Sequence, residues 1–160
     1  MAIEVVRKYF KKYGREKDIL EHEVSSATVE LAAIALNVIP ARIAKTLSFK
    51  KDNGCLLVVT AGDARIDNQK FKQEFGIKAN MLSPEEVLSL TGHAVGGVCP
   101  FGIENKDVKI YLDISLKRFD TIFPACGSSN SAIGLNCKEL YRYAQALKWV
   151  DVCKDWRCSL

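Results

Sequence analysis

Lys45-Thr46-Leu47-Ser48-Phe49-Lys50 and Cys55-Leu56-Leu57-Val58-Val59-Thr60, joined through Asp52-Asn53-Gly54, are the stretch that decides the fold. The two arms are rich in apolar and β-branched residues, and Asn-Gly between them favours a turn with positive φ, so the segment predicts a β-hairpin. The second arm shows no alternation of apolar and polar positions. That pattern predicts a strand covered on both faces.

Outward toward the N-terminus, Val29–Leu36 reads as an apolar and therefore buried helix, capped by Ser25, Ser26 or Thr28 and ended by Asn37 and Pro40. A short strand is expected around residues 19–23. Before it, Ile3, Val6, Tyr9, Phe10 and Tyr13 recur at helical spacing up to Gly14, with Arg7, Lys8, Lys11, Lys12 and Arg15 on the opposite face. Such a basic face is either a solvated helix surface or a phosphate-facing patch.

Toward the C-terminus, a helix near residues 67–75 closed by Gly76 is expected to lead into a strand at 77–82. Ser83-Pro84-Glu85-Glu86 then sets a cap, an N1 proline and a capping box for a helix ending at Gly92. Residues 93–102 form a Gly/Pro loop, followed by strands at 108–115 and 121–125. A polar turn at 127–131 and a short strand reaching Leu135 come next. Asn136 and Glu139 start a helix running to Leu147, and residues 149–153 make a last strand. Strands occur both as hairpins and between helices. The expected fold is therefore α+β: one domain over residues 1–160, with a mixed, mostly antiparallel, barrel-like sheet and flanking helices.

Composition narrows the function classes. The 160 residues are 48% hydrophobic and 26% charged, as in a globular domain, and no apolar run approaches the ~20 residues of a membrane span. Early lysines and arginines interrupt any signal-peptide core, so a cytoplasmic location without membrane contact is expected. The six cysteines, at 55, 99, 126, 137, 153 and 158, form no C-x-x-C pair and are expected as free thiols. With two histidines, His22 and His93, no His-rich metal site is available, and no metal or cofactor is expected. A net charge of +4 permits a polyanionic partner. Nucleotide-binding glycine motifs, the H-E-x-x-H pair and the G-x-S-x-G elbow are all absent.

Three stretches carry chemistry. In Thr91-Gly92-His93-Ala94-Val95-Gly96-Gly97-Val98-Cys99-Pro100-Phe101-Gly102, Gly96 and Gly97 let the backbone approach a ligand, and Pro100 holds Cys99 extended. Such a loop could hold a carbonyl or a developing oxyanion on main-chain N–H groups, or simply connect helix and strand. Cys99 with His93 also has the composition of an activated thiol, although six residues of separation do not establish the necessary hydrogen bond. Lys45 followed by Thr46, at the start of a buried strand, could meet a phosphate at the sheet edge. Ala125-Cys126-Gly127-Ser128-Ser129-Asn130-Ser131 offers hydroxyl and amide groups, or a turn.

Together, and in this order, these stretches resemble the YbaK/EbsC family, the prolyl-tRNA-synthetase-associated editing domain. The likeness runs from Ser26-Ala27-Thr28-Val29 through Lys45-Thr46-Leu47, the 91–102 loop and Tyr111-Leu112-Asp113 to Trp149-Val150-Asp151. It implies an α+β fold and hydrolysis of mischarged tRNA, especially tRNA(Pro), by a chain acting in trans. Lys45 takes the place of the lysine that contacts the terminal adenosine's phosphate. Gly96 and Pro100 match the G-x-x-x-P loop of the aminoacyl pocket, with Gly97, Val98 and Cys99 between them. The implied catalytic set is Lys45, Gly96 and Gly97, with Thr46, His93, Val98, Cys99, Pro100, Ser128 and Ser129 binding substrate. No metal and no protein nucleophile are implied; the tRNA's own ribose hydroxyl, or a water, assists. The partners are the 3′ aminoacyl-adenosine end of tRNA and, by association, prolyl-tRNA synthetase. Leu20 stands before Glu21-His22 where the cysteine-clearing branch has tyrosine, and no acidic residue lies between Asp120 and Glu139. Both departures count against cysteine and leave alanine, serine, threonine or a non-protein amino acid open. A non-catalytic tRNA-binding module using the same cleft is the alternative.

Overall fold

The hairpin is the centre of the molecule. In the computed structural model, which describes residues 2–157, β2 (Ile43–Lys51) and β3 (Gly54–Ala61) pair antiparallel from Ala44↔Ala61 to Lys51↔Gly54. The connecting pair is Asp52-Asn53, and the left-handed residue is Asp52 (φ 51°). Gly54 already belongs to the strand: a Cβ there would run into the main-chain carbonyl of Asp107. Every residue of β3 is buried, as its unbroken apolar run requires.

β1 is Leu20–Glu21, β4 is Arg65–Ile66, β5 is Val108–Asp113, β6 is Phe123–Pro124, β7 is Ser131–Ala132, β8 is Lys148–Val150 and β9 is Cys153–Lys154. The main sheet has the order β6-β2-β3-β5-β8, with small two-stranded sheets β1-β7 and β4-β9 beside it. The whole forms a half-barrel. Within the main sheet β2/β3 is the antiparallel pair, while β2/β6, β3/β5 and β5/β8 run parallel. Parallel neighbours need crossovers. Residues 62–107 lie between β3 and β5, residues 114–147 between β5 and β8, and residues 52–122 between β2 and β6.

The helices follow their caps. α1 is Ala2–Lys11. α3 (Asn68–Phe75) is capped by Asp67 and closed by Gly76, and α4 (Pro84–Thr91) carries the full Ser83/Glu86 capping box and stops at Gly92. α5 (Cys137–Ala144) has the Asn136/Glu139 box but ends three residues before the expected Leu147. Gln145 turns left-handed, and Leu147 N–H donates to Ile110 O (2.8 Å), which starts β8.

Three other expectations change. α2 (Val29–Leu36) has the expected span and the Thr28 cap, but it is not buried: Leu31 is 45% exposed and Ile34 77%. Ala33 is its one buried residue, and the helix packs on β2 with one side only. Residues 77–82 make a single bridge, Phe49↔Met81, instead of a strand. The last strand breaks into β8 and β9, since Val152 N–H leaves the sheet to donate to Asp113 Oδ1 (2.9 Å).

The core joins both sheet faces, with Phe10, Phe71, Phe101, Leu57, Leu112 and Leu116 fully buried. Each such side chain contributes about 1.5–3 kcal/mol on burial. Phe10 meets Phe101 edge-on at 4.8 Å, tying α1 to the glycine loop. Arg7 pairs with Glu21, and Arg15 with Asp18 and Glu139, so much of α1's basic face is spent on the protein itself. Among the described residues, Cys55, Cys99, Cys126, Cys137 and Cys153 are free thiols; Cys158 lies outside them. No described helix is long and apolar enough to cross a membrane.

Candidate functional site

A cleft of about 260 Å³ opens at the outer edge of β2, between α2, the 94–98 loop, β6 and β7. Its origin is a gap in the sheet. β6 meets β2 only at Ile43 and Ala44. Farther along, Lys50 N–H donates to Asn80 O (2.8 Å) and Leu82 N–H donates to Ser48 O (3.3 Å). Residues 48 and 50 thus aim their main-chain groups away from β3, and by the two-residue period of a strand so does Thr46. Thr46 falls between the two covered stretches. Its N–H and C=O face the gap, and its buried Oγ1 has no hydrogen-bond partner.

Lys45 lines the same cleft. Its ammonium donates to Ala64 O (2.6 Å) and Gly62 O (3.3 Å), leaving one donor position for a ligand. Burial lowers its pKa from the ordinary 10.5. The neighbouring Asp63 carboxylate acts in the opposite direction. The loop that supplies the two carbonyls is itself pinned: Arg118 grips Asp63 bidentately (2.6 and 3.0 Å), donates to Trp156 O (3.1 Å) and packs on the Trp156 ring.

In the glycine loop, Gly96 (φ 96°) and Val98 line the cleft. Neither donates its amide to a main-chain carbonyl among the described residues. Gly97 behaves differently. Its N–H is taken by Ala94 O (3.0 Å), and a Cβ on it would sit 2.7 Å from Ser128 N, so it is where the loop packs against the 127–131 turn. Pro100 is buried and borders a separate hollow beside Tyr9 and Tyr143.

His93 and Cys99 lie beneath the loop, 1% and 0% exposed. His93 Nε2 is 2.9 Å from Phe101 O. A carbonyl only accepts, so Nε2 carries the proton and cannot accept one from Cys99 Sγ at 3.6 Å. Burial pushes the thiol's pKa up to about 12 and holds the imidazole's below 6.5. This geometry rules out an activated thiol, and neither side chain reaches the cleft.

Ser128 and Ser129 are also directed elsewhere. Ser128 Oγ bonds Ser131 Oγ (2.7 Å) and Asn130 Oδ1 (2.9 Å), and Ser129 O accepts from Ser26 N–H and from Ser26 Oγ (3.1 Å). The turn reaches the cleft through Ser131 and Ala132 instead. The structure therefore brings Lys45, Thr46, Gly96 and Val98 together, while Gly97, Pro100, His93, Cys99, Ser128 and Ser129 support the walls. Sequence reasoning missed Val29, Ala32, Met81, Phe123 and Ala125, which complete the cleft's apolar wall. Only Val29 and Ala125 lay in motifs that could have singled them out.

A larger hollow of about 740 Å³ lies between Lys117, Tyr141 and Trp149. There Lys117 Nζ sits 4.5 Å over the Trp149 ring, and Tyr141 stacks beside it at 6.2 Å. The indole is already occupied. The smaller cleft, with an orphaned hydroxyl and an ammonium with one donor position open, is the better site. Among the described residues no group of three His, Cys, Asp or Glu side chains could hold a metal.

Fold and cleft define a pocket-bearing α+β domain with a lysine at its rim and no cysteine or histidine among the residues that line it. The sequence profile of the aminoacyl-tRNA editing domain matches residues 23–143, most of the chain, and the chain belongs to this family. The resemblance seen in the sequence is borne out, down to the link with prolyl-tRNA synthetase. The chain is 56% identical over 157 residues to the uncharacterised protein YwhH of Bacillus subtilis, covering 98% of this chain and 99% of that one. It is 31% identical over 144 residues to the proline–tRNA ligase of Thermosipho melanesiensis, covering 89% of this chain but 25% of the ligase. A crystal structure described as a proposed trans-editing enzyme for prolyl tRNA synthetase superposes with a TM-score of 0.85 at 28% identity, covering 96% of this chain and 97% of that one.

Proposed function

We propose that this chain hydrolyses the ester of mischarged tRNA, with tRNA(Pro) as the adapter, acting in trans. The observation that carries the reading is the convergence of Lys45, Thr46, Gly96 and Val98 on one amino-acid-sized cleft. The ammonium of Lys45 holds the phosphate of the terminal adenosine, and the aminoacyl group enters between α2 and β6. The free amides of Gly96 and Val98 face the ester oxygen and stabilise it as negative charge develops. A water, positioned by the adjacent ribose hydroxyl, attacks the carbonyl carbon. The C–O bond to the ribose breaks, the proton passes to the departing ribose oxygen, and the free amino acid leaves. An aminoacyl ester is already activated, so positioning and main-chain electrostatics suffice.

The purpose follows from pocket physics. A synthetase discriminates a missing methylene by only ~1–3 kcal/mol, and a second pocket supplies the rest. Action in trans is supported by the likeness to the proposed trans-editing enzyme for prolyl tRNA synthetase. The test is amino-acid release from tRNA(Pro), tRNA(Ala) and tRNA(Thr) carrying wrong amino acids, with EDTA present. Release from at least one, lost in Lys45→Ala, is the expected result. Salt-sensitive tRNA binding without turnover would establish the non-catalytic module instead.

A further inference from the structure

We propose that Thr46 recognises the α-amino group of the acyl moiety and is a specificity-determining residue of the cleft; this rests on the reading above. An aminoacyl ester entering the cleft brings one group no other ester of the same size has, an amine with N–H bonds to satisfy. The residues lining the cleft include no aspartate or glutamate. Acceptors must therefore come from hydroxyls and main-chain carbonyls.

The hydroxyls can be sorted. Thr28 Oγ1 accepts from Leu31 N–H (3.1 Å) as the cap of α2. Ser26 Oγ is bonded to Ser129 O (3.1 Å), and Ser131 Oγ to Ser128 Oγ (2.7 Å). Thr46 Oγ1 is the lining hydroxyl left with no partner, and it is buried. An unanswered buried hydroxyl costs about 1–3 kcal/mol, which a ligand recovers by bonding to it.

The main chain points the same way. Thr46 C=O lies on the outer edge of β2 in the gap between Ala44, where β6 stops, and Ser48, whose carbonyl takes Leu82 N–H. Hydroxyl and carbonyl of one residue thus offer two acceptors on the cleft side of β2, and an amine is the donor that fills both. The Thr46 N–H on the same edge is left for an oxygen of the substrate.

The discriminating experiment replaces the α-amine by a hydroxyl without adding bulk. The mischarged tRNA that the panel shows to be cleaved is treated with nitrous acid to give the hydroxyacyl-tRNA, and single-turnover release is compared for the two esters. Correcting for their different uncatalysed rates, the hydroxyacyl ester should be cleaved at least about tenfold more slowly, the worth of one well-placed hydrogen bond to such a group. Thr46→Val should lose a similar factor on the aminoacyl ester and narrow the gap between the two, while Thr46→Ser retains both rate and preference. Equal corrected rates on the two esters in the active wild-type protein would overturn the assignment and leave the deacylase reading standing. No cleavage of any aminoacyl ester would instead remove the deacylase reading, and this inference with it.

Discussion

Asp63→Ala tests how the ammonium at the rim of the cleft is held. Asp63 accepts two hydrogen bonds from Arg118 at 2.6 and 3.0 Å, and the side chains are 19% and 13% exposed, respectively. Breaking a fully buried pair costs about 3–5 kcal/mol, and an exposed pair is worth about 0–1. Here Arg118 keeps its bonds to Ser115 O and Trp156 O and its contact with the Trp156 ring, so it is not left orphaned. A loss of about 2–3 kcal/mol is expected, or roughly 5–10 °C in melting temperature for a chain of this size. The functional effect is larger in proportion. Asp63 sits between Gly62 and Ala64, whose carbonyls hold Lys45 Nζ, and a displacement of ~1 Å in an anchoring group costs up to ~10²-fold in rate. Thermal unfolding followed by kcat/KM for deacylation at 25 °C reads both, with Asp63→Asn expected between wild type and Asp63→Ala. A variant that melts lower yet retains wild-type kcat/KM would show that the 62–64 loop does not set the lysine. Unchanged melting as well would refute the pairing argument altogether.

Other expectations follow from the same geometry. Cys99→Ala should keep full deacylase activity, and native Cys99 should resist alkylation at pH 8, because burial holds its thiol protonated up to about pH 12. Gly97→Ala should cost about 1–3 kcal/mol by overpacking against the Ser128 backbone, seen as a lower urea midpoint, and should weaken activity by loosening the loop. His93 should make the protein acid-sensitive. Its folded pKa is lowered below 6.5 by burial, so the unfolded chain takes up a proton first as pH falls. Stability is complete above pH 6.5 and is lost as pH drops from there through the folded value; in His93→Gln that portion of the acid loss should vanish from urea melts taken between pH 7 and 5.

Local chemistry was the part of the fold open to reading in the sequence. Ser83, Pro84, Glu86 and Gly92 bound α4, Asp67 and Gly76 bound α3, and the uninterrupted apolar run from Cys55 marked the strand buried on both faces. Pairing partners were less legible. The parallel union of β3 with β5 joins residues more than fifty positions apart, and nothing in either strand's composition names the other. α2 is apolar but for Glu30, which as periodicity alone means burial, yet the folded chain leaves Ile34 in solvent. The candidate site divides the same way. Lys45, Thr46, Gly96 and Val98 were marked by their motifs and do meet. Gly97 and Ser128 were marked as well, yet each needs the other as a packing partner, a contact across thirty residues that only the folded chain reveals. Phe123 and Met81 carry no chemistry and enter the wall through topology alone.

The most direct test is a crystal structure with a non-hydrolysable 3′-aminoacylamido analogue of the terminal adenosine, carrying its 5′-phosphate. The account predicts the phosphate against Lys45 Nζ, the acyl carbonyl oxygen at the amides of Gly96 and Val98, and the side chain inside the cleft between α2 and β6. An analogue seated in the hollow beside Trp149, or in the β2 cleft with its phosphate turned away from Lys45, would contradict it.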